Sequence, residues 1–136
     1  MIYTSYYGNM KNLPEEIRCI NVARWKPDGV VLPDEPCLYP TPQLLWDFKK
    51  GRISPNIYVK RYREEVFGKV DIREVVRKWQ QMLKTEQICF VCFERTYSFC
   101  HRYCIINAVR GAGYECVEYG ADKTLDELMR KWGITE

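Results

Sequence analysis

The chain has 136 residues, 46% of them apolar and 29% charged, which predicts a single soluble domain large enough for a real hydrophobic core. A net charge of +3 permits an anionic ligand but excludes the strongly basic profile of a protein that holds nucleic acid by charge alone. No apolar run approaches the roughly 20 residues that span a bilayer, and the amino terminus lacks the pattern of a secretion signal, so no membrane partner and a cytoplasmic location are expected. Seven cysteines, an odd number unevenly spaced, fit free thiols in a reducing compartment better than a disulfide framework.

The first predicted element is a strand over Met1 to Tyr7, ending in the hydroxyl-rich run Thr4-Ser5-Tyr6-Tyr7. A turn broken by Pro14 leads to a second strand over Ile17 to Ala23, with Arg24 and Trp25 at its end. Lys26 to Thr41 is a proline-rich loop, within which Gly29 to Leu32 could add a short edge strand. Thr41-Pro42 and Ser54-Pro55 are both helix starts, an N-cap followed by a first-turn proline. Their apolar stripes are Leu44, Leu45 and Phe48, then Ile57, Tyr58, Tyr62 and Val66. Asp71 caps a third helix, with Ile72, Val75, Val76, Trp79 and Leu83 facing inward. Beyond the centre of the chain described next, Tyr114 to Tyr119 reads as the last strand, and Thr124 with Glu127 forms a capping box for a terminal helix.

The densest chemistry lies between Ile88 and Arg110. Ile88 to Phe93 is a short, continuous apolar run, the pattern of a buried strand. Glu94 ends it, a loop follows, and from Cys100-His101-Arg102 the apolar residues Ile105, Ile106 and Val109 recur at helical spacing. A strand, a helix and the strand at Tyr114 make a parallel crossover, so the loop after the first strand sits at the carboxyl edge of the sheet, where open α/β sheets bind ligands. The fold expected is α/β: a small, mostly parallel sheet of about four strands flanked by helices.

Cys92-Phe93-Glu94, a short loop, then Cys100-His101-Arg102 resembles the signature of the domain of unknown function 488 family. The opening Ile2 to Tyr6 is similar to that family's first strand, and Tyr58 and Tyr62 match its recurring tyrosine pair. The resemblance implies a small single-domain α/β fold with a polar cluster suggesting a catalytic or binding site, and it supplies no reaction.

Three chemistries are open to these residues. Zinc or iron is conceivable on Cys92, Cys100 and His101, though no cofactor is required. A site of four cysteines is geometrically poor, since Cys89 and Cys92 lie three apart on a strand and point to opposite faces. Thiol chemistry is the second. Cys100 sits where a helix begins, where unpaired N–H groups and the flanking His101 and Arg102 favour a thiolate, and Cys92 is either its partner or the nucleophile. Glu94 and His101 are suitable proton carriers. Neither cysteine has an arginine at the spacing of the phosphatase loop. The third is anion binding by Arg102, Arg95 and Arg24, with Tyr97, Phe99 and Tyr103 suited to a planar base.

Together these predict a small enzyme acting on an anionic or nucleotide-like substrate. Cys92, Glu94, Cys100 and His101 would be its catalytic groups, with Arg102, Ser5 and Arg24 in binding. The rival is a non-catalytic module for a ligand or nucleic acid, with Lys49, Lys50, Arg52, Lys60, Arg61 and Arg63 as the contact surface. A thiol redox sensor built on a Cys92–Cys100 disulfide is the remaining alternative.

Overall fold

A computed structural model of the chain describes residues 1–94 and 98–134. Four strands, β1 (Ile2–Tyr6), β2 (Arg18–Asn21), β3 (Ile88–Cys92) and β4 (Cys116–Glu118), form one sheet in the order β2-β3-β1-β4. Every neighbouring pair is parallel, so the expected mostly parallel sheet is parallel throughout. Among the described residues are five α-helices: α1 (Pro42–Lys49), α2 (Pro55–Glu65), α3 (Ile72–Leu83), α4 (Arg102–Gly111) and α5 (Leu125–Lys131). None of the described helices is long and apolar enough to cross a membrane.

The helix starts follow from local chemistry. Thr41 Oγ1 accepts from the Leu44 amide at 3.2 Å, and Ser54 Oγ accepts from Ile57 at 3.3 Å. Asp71 and Thr124 do the same for Arg73 and Glu127. Each such cap contributes about 1 kcal/mol by satisfying an N–H that the helix itself leaves unpaired. The expected edge strand over Gly29 to Leu32 does not form. Prolines at 27 and 33 flank that stretch without donors, Val31 points into solvent, and the chain pairs with β2 only beyond it, through a bridge from Asn21 to Asp34.

Side-chain alternation along the strands divides the apolar residues between two faces. Ile88, Phe90 and Cys92 of β3 join the large cluster to which all five helices contribute. Cys89 and Val91 point the other way and pack with Ile17, Tyr3, Cys19 and Tyr119. The α-helices that flank the sheet, as expected, all pack on one of its faces. Crossover direction accounts for this. The chain moves outward once, from β1 to β2, through the 3₁₀ segment Tyr7–Asn12, and returns through helices from β2 to β3 and from β3 to β4. Right-handed crossovers running in opposite directions lie on opposite faces, so the short connection takes one face and the helices take the other.

Candidate functional site

β3 ends at Cys92, and the chain returns at Phe99 and Cys100 to start α4 at Arg102, with His101 as its N-cap residue. Phe93 and Glu94, which leave β3, and Phe99 and Cys100, which lead into α4, therefore sit at the carboxyl edge of the sheet. Arg95 and Tyr97, both expected to contribute there, lie outside the described residues.

Cys92 Sγ and Cys100 Sγ are 2.6 Å apart, both buried on the helical side of the sheet. Burial pushes the Cys92 thiol well above its ordinary value, its hydrogen bond with Cys100 adds to this, and the nearby Arg102 charge opposes without cancelling it. Cys92 is thus a neutral thiol whose S–H can point at Cys100. Cys100 Sγ also accepts from the Arg102 backbone amide at 3.5 Å and lies 3.8 Å from Arg102 Nη1. Around this one sulfur are a thiol, a helix-end amide and a guanidinium, all able to stabilise negative charge.

His101 completes the arrangement. Its Nε2 is 2.7 Å from the carbonyl oxygen of Val22, which can only accept, so Nε2 carries the proton. Nδ1 of a neutral ring then presents a lone pair, and it lies 3.6 Å from Cys100 Sγ. The ring is buried against Tyr62, whose hydroxyl donates to the carbonyl of Leu38 at 2.7 Å. A histidine held in one tautomer with its free nitrogen facing a thiol is the geometry of a base that takes the thiol's proton.

Arg102 was expected to grip an anion, and its placement gives it a different task. It is fully buried, with Nε and Nη2 donating to the two Glu118 oxygens at 2.8 and 2.7 Å. Nη1 donates to Cys92 Sγ and to the Glu94 carbonyl oxygen, each at 2.8 Å. Burial alone would lower its pKa, but the Glu118 carboxylate that it grips with two hydrogen bonds opposes this and helps keep the guanidinium charged. Glu118 in turn accepts from Thr4 Oγ1 at 2.6 Å. Arg102 is therefore a buried cation aimed at the thiols and tied to β4, not an open hook for a ligand.

Ser5 does not join the cluster. It shares its face of β1 with Tyr3, away from the helices, and its Oγ accepts from Asn9 Nδ2 at 3.2 Å. Arg24 and Glu94 do join it. With Cys100 and His101 they line a cleft of about 360 Å³ whose other walls include Trp25, Phe48, Phe93 and Phe99. The Glu94 carboxylate has a weak contact from Cys92 Sγ at 3.9 Å. Tyr58 and Tyr62 stack with ring centroids 6.2 Å apart, a packed stripe of α2, although Tyr58 reaches the cleft wall.

Glu118 and Thr4 were missed from the sequence. The signal for Glu118 was present: it alternates with Cys116, so it shares the inward face of β4, and an inward carboxylate needs a buried cation. Nothing in the sequence marks Thr4 apart from its neighbours.

The one metal-ligating group of three among the described residues is Cys92, Cys100 and His101, whose donor atoms lie within 4.8 Å of one another. The histidine suits a metal, since its far nitrogen is already fixed on a carbonyl. The sulfurs do not. Two thiolates on tetrahedral zinc, at about 2.3 Å each, stand about 3.8 Å apart. Here they are 2.6 Å apart, and the buried Arg102 guanidinium already donates to Cys92 Sγ at 2.8 Å. In this arrangement the residues do not fit a metal.

Among curated proteins and among solved structures, no chain matches this one. A family model does match. Described as the active DUF488-N3 subclade, it covers residues 2–113, which include β3, the cysteine pair and the whole of α4. It thus spans most of the sequence that builds the cluster, and the chain belongs to the DUF488 family.

Proposed function

We propose that this protein is a cysteine-dependent enzyme acting on a small anionic or nucleotide-like substrate in the cleft beside Cys100. The observation that carries this reading is the Cys100–His101 pair, with Nε2 fixed on Val22 and Nδ1 turned to the sulfur at 3.6 Å. Cys100 acts as the nucleophile, and His101 takes its proton as the bond to substrate forms. Arg102, the α4 amide and the Cys92 thiol stabilise charge on the sulfur. The imidazolium of His101 then returns the proton it took to the leaving group, with Glu94 on the lining of the same cleft.

A second reading rests on the contact between the two sulfurs, which suits a reversible Cys92–Cys100 disulfide. Nucleic-acid binding through the mid-chain cations has less in its favour. Arg61 is engaged by Asp47 and Glu65, Arg52 by Asp47, and Lys50 lies over the Trp46 ring.

The test is an intact-mass measurement after incubation with p-nitrophenyl acetate. Attack by Cys100 forms a thioester, expels p-nitrophenolate and passes the thiol proton to His101. One acetyl adduct at Cys100 is expected, absent in Cys100→Ser and retained in Cys89→Ser. Acetylation spread over several cysteines, or none at Cys100, would contradict the nucleophile assignment.

A further inference from the structure

Of the cations that make ion pairs, Lys26, Arg52, Arg61, Lys78 and Arg102 each face a carboxylate. Two cations lining the cleft beside Cys100 do not. Arg24 uses Nε to donate to the Pro40 carbonyl oxygen at 2.9 Å and lies over the Tyr39 ring, which leaves both terminal nitrogens without a partner among the described residues. Lys49 makes no ion pair there either, and its Nζ lies 5.9 Å from the centre of the Trp25 ring. Among the described residues of its lining, the cleft sets a single carboxylate, Glu94, against these two charges.

The apolar lining is equally unusual. Trp25 is 58% exposed and Phe93 46% exposed, two large rings left in water at the same cleft. Leaving such surface wet costs about 25 cal/mol per Å², which a ligand covering it recovers. Deeper in, Phe99 packs edge-on against Tyr58 and lies beside Phe48, so the wall behind the thiol is also aromatic. A cleft of about 360 Å³ is near the lower end for ligand pockets, and it suits one or two rings, not a dinucleotide.

We infer that the cleft recognises a small planar aromatic molecule carrying one oxyanion, with Arg24 and Lys49 on the oxyanion and Trp25 and Phe93 against the ring. The inference rests on the cysteine-enzyme reading and names its substrate class. Arg24 is the directing residue, because two free N–H groups in a fixed fork match the two oxygens of a carboxylate or a phosphate. Lys49, exposed and on a flexible stem, contributes less. The ring then lies across the aromatic wall, with its reactive substituent toward Cys100.

Calorimetric titration of the full chain tests this with four probes: phenyl phosphate, benzoate, phenol and inorganic phosphate. One of the two aromatic oxyanions is expected to bind at least about ten-fold more tightly than either phenol or phosphate, and their ranking identifies the oxyanion. Arg24→Met should remove about ten-fold of that affinity and leave phenol unchanged, while Arg24→Lys, which keeps the charge, should fall between. Trp25→Ala should weaken the three ring-bearing probes together. Inorganic phosphate binding as tightly as both aromatic anions, or Arg24→Met without effect, would overturn the inference. Cys100→Ser separates the two proposals, because recognition does not use the sulfur. Binding retained there supports the ligand class whatever the acetylation result. No binding by a chain that still acetylates at Cys100 sinks the ligand class and leaves the enzyme reading standing.

Discussion

β3 contributes one cysteine to each of two thiol pairs, and the pairs sit on opposite faces of the same sheet. Cys92 meets Cys100 on the helical side, and Cys89 stands in register beside Cys19 of β2 on the other. In each pair burial pushes the strand cysteine of β3 well above its ordinary value. Cys19 is drawn the other way, chiefly by its hydrogen bond from Cys89, with Arg18 helping against burial. Thiol pairing alone is therefore common to both. The Cys92–Cys100 pair adds a histidine of fixed tautomer, a helix-end amide, a buried guanidinium and a cleft, and the second pair has apolar neighbours in their place. That surrounding equipment is what distinguishes the two pairs, and the start of α4 brings the histidine, the amide and the guanidinium to one face only.

The largest expected effect comes from removing the counter-charge behind the helical pair. Glu118→Ala leaves Arg102 charged and buried beside the thiols, and chemical denaturation should show a loss of about 3–5 kcal/mol. Cys19→Ala, at a half-buried site with no ion pair, should stay within about 1 kcal/mol. Equal losses would mean that the Arg102–Glu118 pair does not distinguish the two faces.

A smaller contrast follows from replacing the β3 cysteines by serine. At 89 the hydroxyl enters an apolar environment and should cost about 1–3 kcal/mol. At 92 it meets the Arg102 Nη1 donor, so the cost should be lower by about 1 kcal/mol. Urea unfolding of both variants checks the ranking, and a costlier Cys92→Ser would reverse the polarity assigned to the two sites.

The least of these effects is alkaline. A thiol raised by folding stays protonated after its unfolded counterpart has ionised, so the folded state loses stability as pH climbs from the unfolded value toward the folded one. Burial raises Cys116 from 9.0 to about 12, and Cys92 moves in the same direction. Stability should therefore fall above about pH 9, with a shallower fall in Cys92→Ala than in the wild type. Parallel pH profiles for the two proteins would contradict the raised Cys92 thiol.

Much of this was legible beforehand, for stated reasons. Hydrophobic continuity at Ile88 to Phe93 and the caps at Thr41, Ser54, Asp71 and Thr124 are local signals, and the elements formed where those signals lay, with the strand stopping one residue short at Cys92. The three-residue spacing of Cys89 and Cys92 placed them on opposite faces, as alternation requires. Residues whose role depends on long-range pairing were harder to read. Arg102 looked like an anion hook because its carboxylate lies sixteen residues ahead, on a strand two places away in the sheet. Ser5 looked like a site residue because it lies at the right edge, but one step of alternation turns it to the wrong face. Trp25 and Lys49 carried no motif, and only the folded cleft brings them beside Phe93.

The most direct measurement compares alkylation of Cys100 and Cys19 in one sample, by mass spectrometry after brief exposure to iodoacetamide at neutral pH, for wild type and His101→Gln. Cys100 should slow by about ten-fold or more in the variant while Cys19 keeps its rate, because only Cys100 faces the imidazole lone pair. Equal rates for Cys100 in both proteins, or a loss shared by Cys19, would contradict the activation of Cys100 by His101.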